Sequence, residues 1–238
     1  MQATAIKIVQ TAAAECGVTV PQTLQSTQDP GTIQLLTLLN SAGYETCAYY
    51  PWTQLSKFQL LTTEPDKGDY PLPDDWFYYL DQTQYNVTNN QFMRGPISPQ
   101  QWQPLKSGLN PSSNFSYRII GKNLELLPIP ASAVELSLNY ISNGWVDDGH
   151  NIGAVKSSIV YDDDMPLFDW LLMVKFLKLK LWEAKGFDTT AYKDDFTVYW
   201  ESLVGKDVGA PILDVACQAG GMHLIDAHNI PSGNWPIS

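Results

Sequence analysis

Apolar side chains recur at helical spacing at both ends of the chain and at strand spacing between them, which limits what the chain can fold into. Near the N-terminus, Ile6, Val9, Ala13 and Cys16 form a helical stripe over residues 2–16 that ends at Gly17. Asp29-Pro30 reads as the next helix start. The carboxylate accepts from amides that lack helical partners, and proline at the first helical position gives up no bond. Ile33, Leu36, Asn40, Gly43 and Cys47 continue that face, widened by Leu35, Leu38 and Leu39. The helix stops before Pro51, because the residue preceding a proline is pushed out of the α region.

From about Lys57 the period changes. Residues 57–63 read as a strand, and Pro65, Gly68, Pro71 and Pro73 punctuate the next stretch of chain. Residues 76–85 and 113–120 are β-prone, and 124–127 pair back on the latter across Gly121-Lys122-Asn123. Val134, Leu136, Leu138 and Tyr140 alternate with Glu135, Ser137 and Asn139, a half-buried strand. Ser98 caps a short helical turn over 98–102, with Pro99 in its first turn.

Helical spacing returns near Met165. Leu167, Leu171, Val174, Leu177, Leu181 and Trp182 share a face, and Gly186 closes the helix. A further amphipathic piece, about 190–203, presents Phe196, Tyr199 and Leu203. Residues 207–238 hold glycine, proline, isolated apolar side chains, three aspartates and no lysine or arginine, the pattern of an extended arm. The expected fold is α+β. Helix pairs from residues 1–56 and 147–206 would form a four-helix bundle, with an antiparallel β-rich insert at 57–146 and an extended C-terminal arm at 207–238.

Charge narrows the function. Fourteen basic against 25 acidic residues leave a net −11, which opposes gripping nucleic acid or an anionic membrane surface. Charged residues are 16% of the chain, below the average of about 25%, as expected of a surface partly hidden against partners. Cys16, Cys47 and Cys217 are widely spaced and odd in number, which points to a reduced compartment and buried thiols. No secretory h-region opens the sequence, and the longest apolar run, residues 171–174, is broken by Lys175. The chain is therefore expected to be made in, and at first soluble in, the cytoplasm.

Chemistry-bearing groups are few. His223, Asp226 and His228 are metal-capable, but zinc wants more ligands and a different spacing, so polar surface is the better reading. Asp147-Asp-Gly-His150 reads as a turn built on Asp-Gly. Asp162-Asp-Asp164 reads as acidic cap and first-turn residues for the third long helix. No nucleophile elbow, H-E-x-x-H, Walker loop or dinucleotide fingerprint occurs, and Gly205-Lys206 is followed by Asp207. Lysines 175, 178, 180 and 185 read as a solvated face or as partners of neighbouring carboxylates. The aromatics Trp76, Phe77, Tyr78, Tyr79 and Tyr85 read as core plus interface. The expectation is a non-catalytic protein with no cofactor and no metal.

A longer pattern carries a resemblance. Tyr49-Tyr-Pro-Trp-Thr-Gln-Leu55 is followed by Phe58-Gln-Leu-Leu-Thr-Thr63 and by Asp69-Tyr-Pro-Leu-Pro-Asp-Asp-Trp-Phe77. Gly95-Pro-Ile-Ser-Pro-Gln-Gln-Trp-Gln-Pro-Leu-Lys106 then precedes Phe115-Ser-Tyr-Arg-Ile-Ile-Gly121. Leu138-Asn-Tyr-Ile-Ser-Asn-Gly-Trp-Val146 and Tyr161-Asp-Asp-Asp164 complete the run. This succession over residues 1–205 resembles the head-to-tail adaptor (connector) proteins of short-tailed phages, akin to tail tubular protein A. The resemblance implies a virion protein at the head-tail junction, a homo-oligomer assembled as a dodecameric ring between the portal protein and the tail nozzle protein. DNA passes through such a ring without specific binding, and no membrane is involved. In this family the C-terminal tail commonly reaches along the portal, which makes Ile212, Leu213, Trp235 and Ile237 the expected portal-binding anchors. The alternatives are a carbohydrate-binding or carbohydrate-cleaving tail component, from the aromatics at 76–85, and a metal-dependent hydrolase, from His223, Asp226 and His228.

Overall fold

The computed structural model describes residues 2–25, 28–80, 82–107, 114–151 and 153–207. The chain opens with helices α1 (Ala5–Glu15) and α2 (Pro30–Tyr49). Strands β1 (Ser56–Thr62), β2 (Asp69–Pro71), β3 (Trp76–Tyr79), β4 (Tyr85–Asn86) and β5 (Gln91–Phe92) come next, then helix α3 (Pro99–Lys106). After it stand β6 (Ser116–Ile120), β7 (Asn123–Leu127) and β8 (Glu135–Ser142), and the short strands β9 (Val146–Asp147), β10 (Val155–Lys156) and β11 (Met165–Pro166). Helices α4 (Trp170–Ala184) and α5 (Thr190–Asp207) end the described chain.

Local signals explain many of these boundaries. The Asp29 carboxylate accepts from the Thr32 amide at 2.8 Å at the start of α2. Ser98 Oγ accepts from the Gln101 amide at 3.4 Å at the start of α3. Gly17 and Gly186, just past the ends of α1 and α4, have φ of +64° and +74°, a conformation that other residues adopt at a cost. The β6–β7 hairpin turns through Gly121-Lys122, since Ile120 faces Asn123 in the register.

The strands form three antiparallel sheets. In the first, the order is β1-β8-β4-β5, with β3 also paired to β8. One edge of β8 is taken by β1, the other by β3 and β4 in succession. The second sheet runs β2-β7-β6 and the small third sheet β10-β9-β11.

Two cores result. Tyr70, Tyr117, Leu124 and Leu126 of the second sheet pack with Leu136, Leu138 and Tyr140 of β8. The other core gathers α1, α2 and α4 around Trp145, with Ile141, Val146, Ile159 and Phe168. The alternating faces of β8 thus serve both cores, Leu138 and Tyr140 one way and Ile141 the other.

The fold is α+β, but the four-helix bundle expected from N- and C-terminal helix pairs is overturned. Among the described residues there are five helices, dispersed among the sheets, and α1, α2 and α5 each pack on α4. Leu172, Met173, Val174, Phe176, Leu177, Leu179 and Leu181 of α4 are all buried. A helix apolar over that much of its circumference wants cover on several sides, whereas a bundle helix buries one stripe. Part of the cover is not helical at all, since Trp145 and Phe168 lie outside every helix. Helix α5, with no buried residue, is a flank and not a full bundle member.

The third long helix also begins later than its periodicity implies. Met165 and Pro166 pair with Asp147 and Val146 as β11, and α4 starts at Trp170 with Asp169 as its cap. The Asp169 carboxylate accepts from the amides of Leu171 and Leu172 at 3.0 and 3.3 Å.

Candidate functional site

Several acidic groups among the described residues are spent on structure. Asp162-Asp-Asp164, expected to cap α4, instead serves α1. The Ala5 and Ile6 amides at its start donate to the carbonyls of Asp164 and Asp162 at 2.7 and 3.3 Å, and Thr4 contributes no side-chain cap. The Asp162 carboxylate accepts from the Leu24 amide and the Thr23 hydroxyl, each at 2.6 Å. Asp164 is fully buried and accepts from the Val160 and Tyr161 amides at 2.7 Å, with the Lys156 ammonium at 2.7 Å. Burial pushes its carboxyl up, but Lys156 and those two amides outweigh burial and hold it below the usual carboxylate value.

Within Asp147-Asp-Gly-His150, Asp147 belongs to β9 and the turn begins at Asp148. The Asn151 amide donates to the Asp148 carbonyl at 3.2 Å, and the Asp148 carboxylate accepts from the His150 amide at 3.0 Å. The His150 ring lies on Tyr161, centroids 4.2 Å apart. Among the described residues, no group of three or more histidine, cysteine or acidic side chains is placed to hold a metal ion.

The lysines of α4 pair with carboxylates of neighbouring helices, as read from their spacing. Lys178 meets Glu15 of α1 at 2.6 Å, Lys180 meets Glu45 of α2 at 2.7 Å, and Lys175 meets Asp195 of α5. Lys185 lies over the Trp182 ring. The aromatics at 76–85 are engaged too. Tyr79 is buried, Trp76 meets it edge-on, and Phe77 lies against Tyr78 and Tyr44.

A different feature emerges on β1. In Lys57-Phe-Gln-Leu-Leu, ordinary amphipathicity would turn Phe58 and Leu60 inward and Lys57 and Gln59 to water. The strand is inverted. Phe58 and Leu60 are 62% and 52% exposed, while Lys57 and Gln59 are half-buried on the opposite face. On the inner face the Lys57 ammonium bonds the Asp75 carboxylate at 2.6 Å, and Tyr140 and Ser142 donate to the same group at 2.9 and 2.8 Å. Burial raises Asp75 and these three donors more than reverse it, so its carboxyl titrates below its ordinary range. Burial and the Asp75 charge together push Tyr140 up to about 12.

The outward face extends beyond β1. Leu60 is registered with Ser137, Ser137 with Tyr85, and Tyr85 with Phe92, so these four share one face across β1, β8, β4 and β5. Tyr85 and Phe92 meet edge-on at 4.9 Å. Val87, beside Glu135 of β8, is also exposed. Strand β1 pairs with β8 alone, so its other edge is open among the described residues. Two outward apolar groups on one sheet face, Phe58 with Leu60 and Tyr85 with Phe92, flank the polar Asn139 and Ser137 of β8, and a face of this kind beside an open strand edge is suited to a partner. Periodicity could not locate it, because β1 carries apolar side chains on both faces, and the inner one joins Leu61 to the sheet core and Lys57 to Asp75, eighteen residues away.

Ile212, Leu213, Trp235 and Ile237, the anchors implied by the resemblance, lie outside the described residues, as do His223, Asp226 and His228. No described helix is long and apolar enough to cross a membrane. No protein-family model matches the chain, and no curated protein matches its sequence.

Proposed function

We propose that the chain is a structural virion protein, a head-to-tail adaptor of a short-tailed phage that forms a ring between portal and tail nozzle and extends the DNA channel. The observation that carries the reading is the inverted strand β1, which turns Phe58 and Leu60 outward on the sheet face that also carries Tyr85 and Phe92. Apolar and aromatic groups held on a rigid sheet suit permanent contact between subunits. The ordered pattern from Tyr49 to Asp164 and the net charge of −11 support the same reading, since an acidic channel wall lets DNA slide without gripping it. Ile212, Leu213, Trp235 and Ile237 are the proposed portal anchors.

Electron microscopy of the full chain, alone and with portal protein, tests this. Twelve-fold rings on the portal are expected, and failure to bind portal in any form sinks the proposal. Replacing Ile212, Leu213, Trp235 and Ile237 together by alanine should abolish docking while leaving the unfolding temperature unchanged. Undiminished docking removes the anchors from the proposal.

A further inference from the structure

The chain has two arginines, and only one of them is spent on structure. The Arg118 guanidinium bonds the Glu125 carboxylate at 2.8 and 2.6 Å and lies over the Trp102 ring at 4.4 Å. Arg94 is exposed, and among the described residues its side chain has no ion pair and no ring contact. Its backbone is nonetheless fixed. The Arg94 amide donates to the Phe115 carbonyl at 2.8 Å, the Tyr117 amide to the Arg94 carbonyl at 2.9 Å and the Ile97 amide to the Tyr117 carbonyl at 2.9 Å. Helix α3 follows, held by Trp102, which is buried under Arg118. Between Arg94 and α3 lies a groove of about 300 Å³ lined by Arg94, Ile97, Gln100, Gln101, Pro104 and Leu105. Gln100 with Pro104 and Gln101 with Leu105 are each four apart, so they share one face of the helix. No carboxylate lines this groove among the described residues, although the chain carries 25 acidic residues and a net −11. Three other grooves each include at least one: Asp169 and Asp207, then Asp66, Asp69 and Glu125, then Asp29.

We propose that this groove binds a carboxylate carried on an apolar stem and presented by a partner polypeptide, a glutamate beside a leucine being the simplest case. The planar guanidinium of Arg94 takes both carboxylate oxygens through paired N–H donors. Ile97, Pro104 and Leu105 supply apolar walls for the stem, and the Gln100 and Gln101 amides supply neutral donors and acceptors for the partner's backbone. Charge selects the occupant: an unpaired cation in a carboxylate-free groove of an acidic protein favours an acidic segment. Nucleic acid fits less well, because gripping phosphates takes several cations and Arg94 is the one basic residue among the described residues lining the groove. The site belongs to the lone subunit and does not rest on the ring.

The test uses the full chain without portal, so its failure and that of the adaptor reading are distinguishable. Two arginines give two Nε–H signals in proton–nitrogen correlation spectra, and Arg94→Gln identifies which is which. The probe is N-acetyl-leucyl-glutamyl-leucinamide. The Arg94 signal should shift and saturate, while the Arg118 signal, held by Glu125, stays in place. With a fluorescent label on the same peptide, Arg94→Gln should weaken binding about tenfold or more at an unchanged unfolding temperature, and Arg94→Lys should fall between. Lys106→Gln, which alters the neighbouring groove, should leave the affinity unchanged. A loss there equal to that of Arg94→Gln marks general charge attraction and overturns the proposal. So does the absence of a shift at millimolar peptide, an equal shift with the glutamine analogue, or undiminished binding by Arg94→Gln. A shift produced by a single-stranded oligonucleotide and not by the peptide assigns the groove to phosphate and counts equally against it.

Discussion

Trp145 and Tyr117 are among the largest fully buried side chains, one in each core, and each sits against a glycine. A Cβ on Gly43 of α2 would run into the Trp145 ring, and one on Gly95 would come within 2.7 Å of the Tyr117 ring. Their polar ends differ. Trp145 Nε1 donates to the Ser157 carbonyl at 2.7 Å, a backbone group, and its ring stacks on Phe168. The Tyr117 hydroxyl donates to the Gln84 side chain at 2.9 Å, itself buried. Around the helical core, ion pairs such as Lys178–Glu15 and Lys180–Glu45 stand at the rim, while Thr32, Thr46 and Asp164 are buried. The sheet core takes polar side chains inside, with Thr63, Gln84, Asn86 and Ser116 all buried. The two large side chains therefore differ in one respect: Trp145 is tied to the backbone, whereas Tyr117 depends on a hydrogen bond to a second buried side chain.

The largest effect is expected at the Gly43–Trp145 contact. Trp145→Ala should cost about 4 kcal/mol in urea unfolding through the cavity it leaves. Gly43→Ala overpacks the same spot and should cost about 2 kcal/mol. The double variant should be less destabilised than the sum, because the smaller side chain at 145 makes room for the methyl. Strict additivity would show that the two residues do not act as one steric unit.

Asp164→Asn comes next, at about 2 kcal/mol near neutral pH. That lies below the range for a fully buried pair, because Lys156 keeps Asp148 at 3.5 Å and some solvent contact. The Asp164 carboxyl titrates lower in the folded chain than its ordinary 3.8. Its contribution is therefore complete above that value and is lost as pH falls through the lower folded one. The gap between parent and variant should narrow from pH 7 to pH 3. A gap that widens on acidification contradicts this assignment.

In the sheet core, Tyr117→Phe keeps the ring and leaves the Gln84 carbonyl oxygen without that donor, for about 1 kcal/mol. A cost equal to that of Trp145→Ala would erase the distinction between the cores. Smallest of all, Lys178→Ala should change stability by no more than about 0.5 kcal/mol, since Glu15 is about half exposed and water screens the pair. A larger loss would move the rim pairs into the energetics of the helical core.

Much of the local structure was legible in the residues themselves. Asp29 before Pro30, Ser98 before Pro99, Gly186 after α4 and the Gly121-Lys122 turn each act within a few positions, so a linear reading finds them. Alternation located β8 for the same reason. The third sheet escaped notice because strands of two residues, such as β9 and β11, carry no period. Periodicity likewise placed the start of α4 too early, because pairing of Met165 and Pro166 with β9 competes with the helix.

The sequence by itself determined the long helices and strands, caps such as Asp29 and Ser98, and an acidic, sparsely charged composition. Only the tertiary structure decided that the helices gather around α4 instead of forming a bundle, and that Asp164 lies beside the start of α1. It alone decided that Phe58 and Leu60 face outward. The physical reason is range: caps and turns are satisfied by near neighbours, whereas Asp162 finds Leu24 across 138 residues and Lys180 finds Glu45 across 135. The inward face of β1 likewise finds its partners at a distance, Lys57 at Asp75 and Leu61 in the sheet core, while Phe58 and Leu60 stay outward.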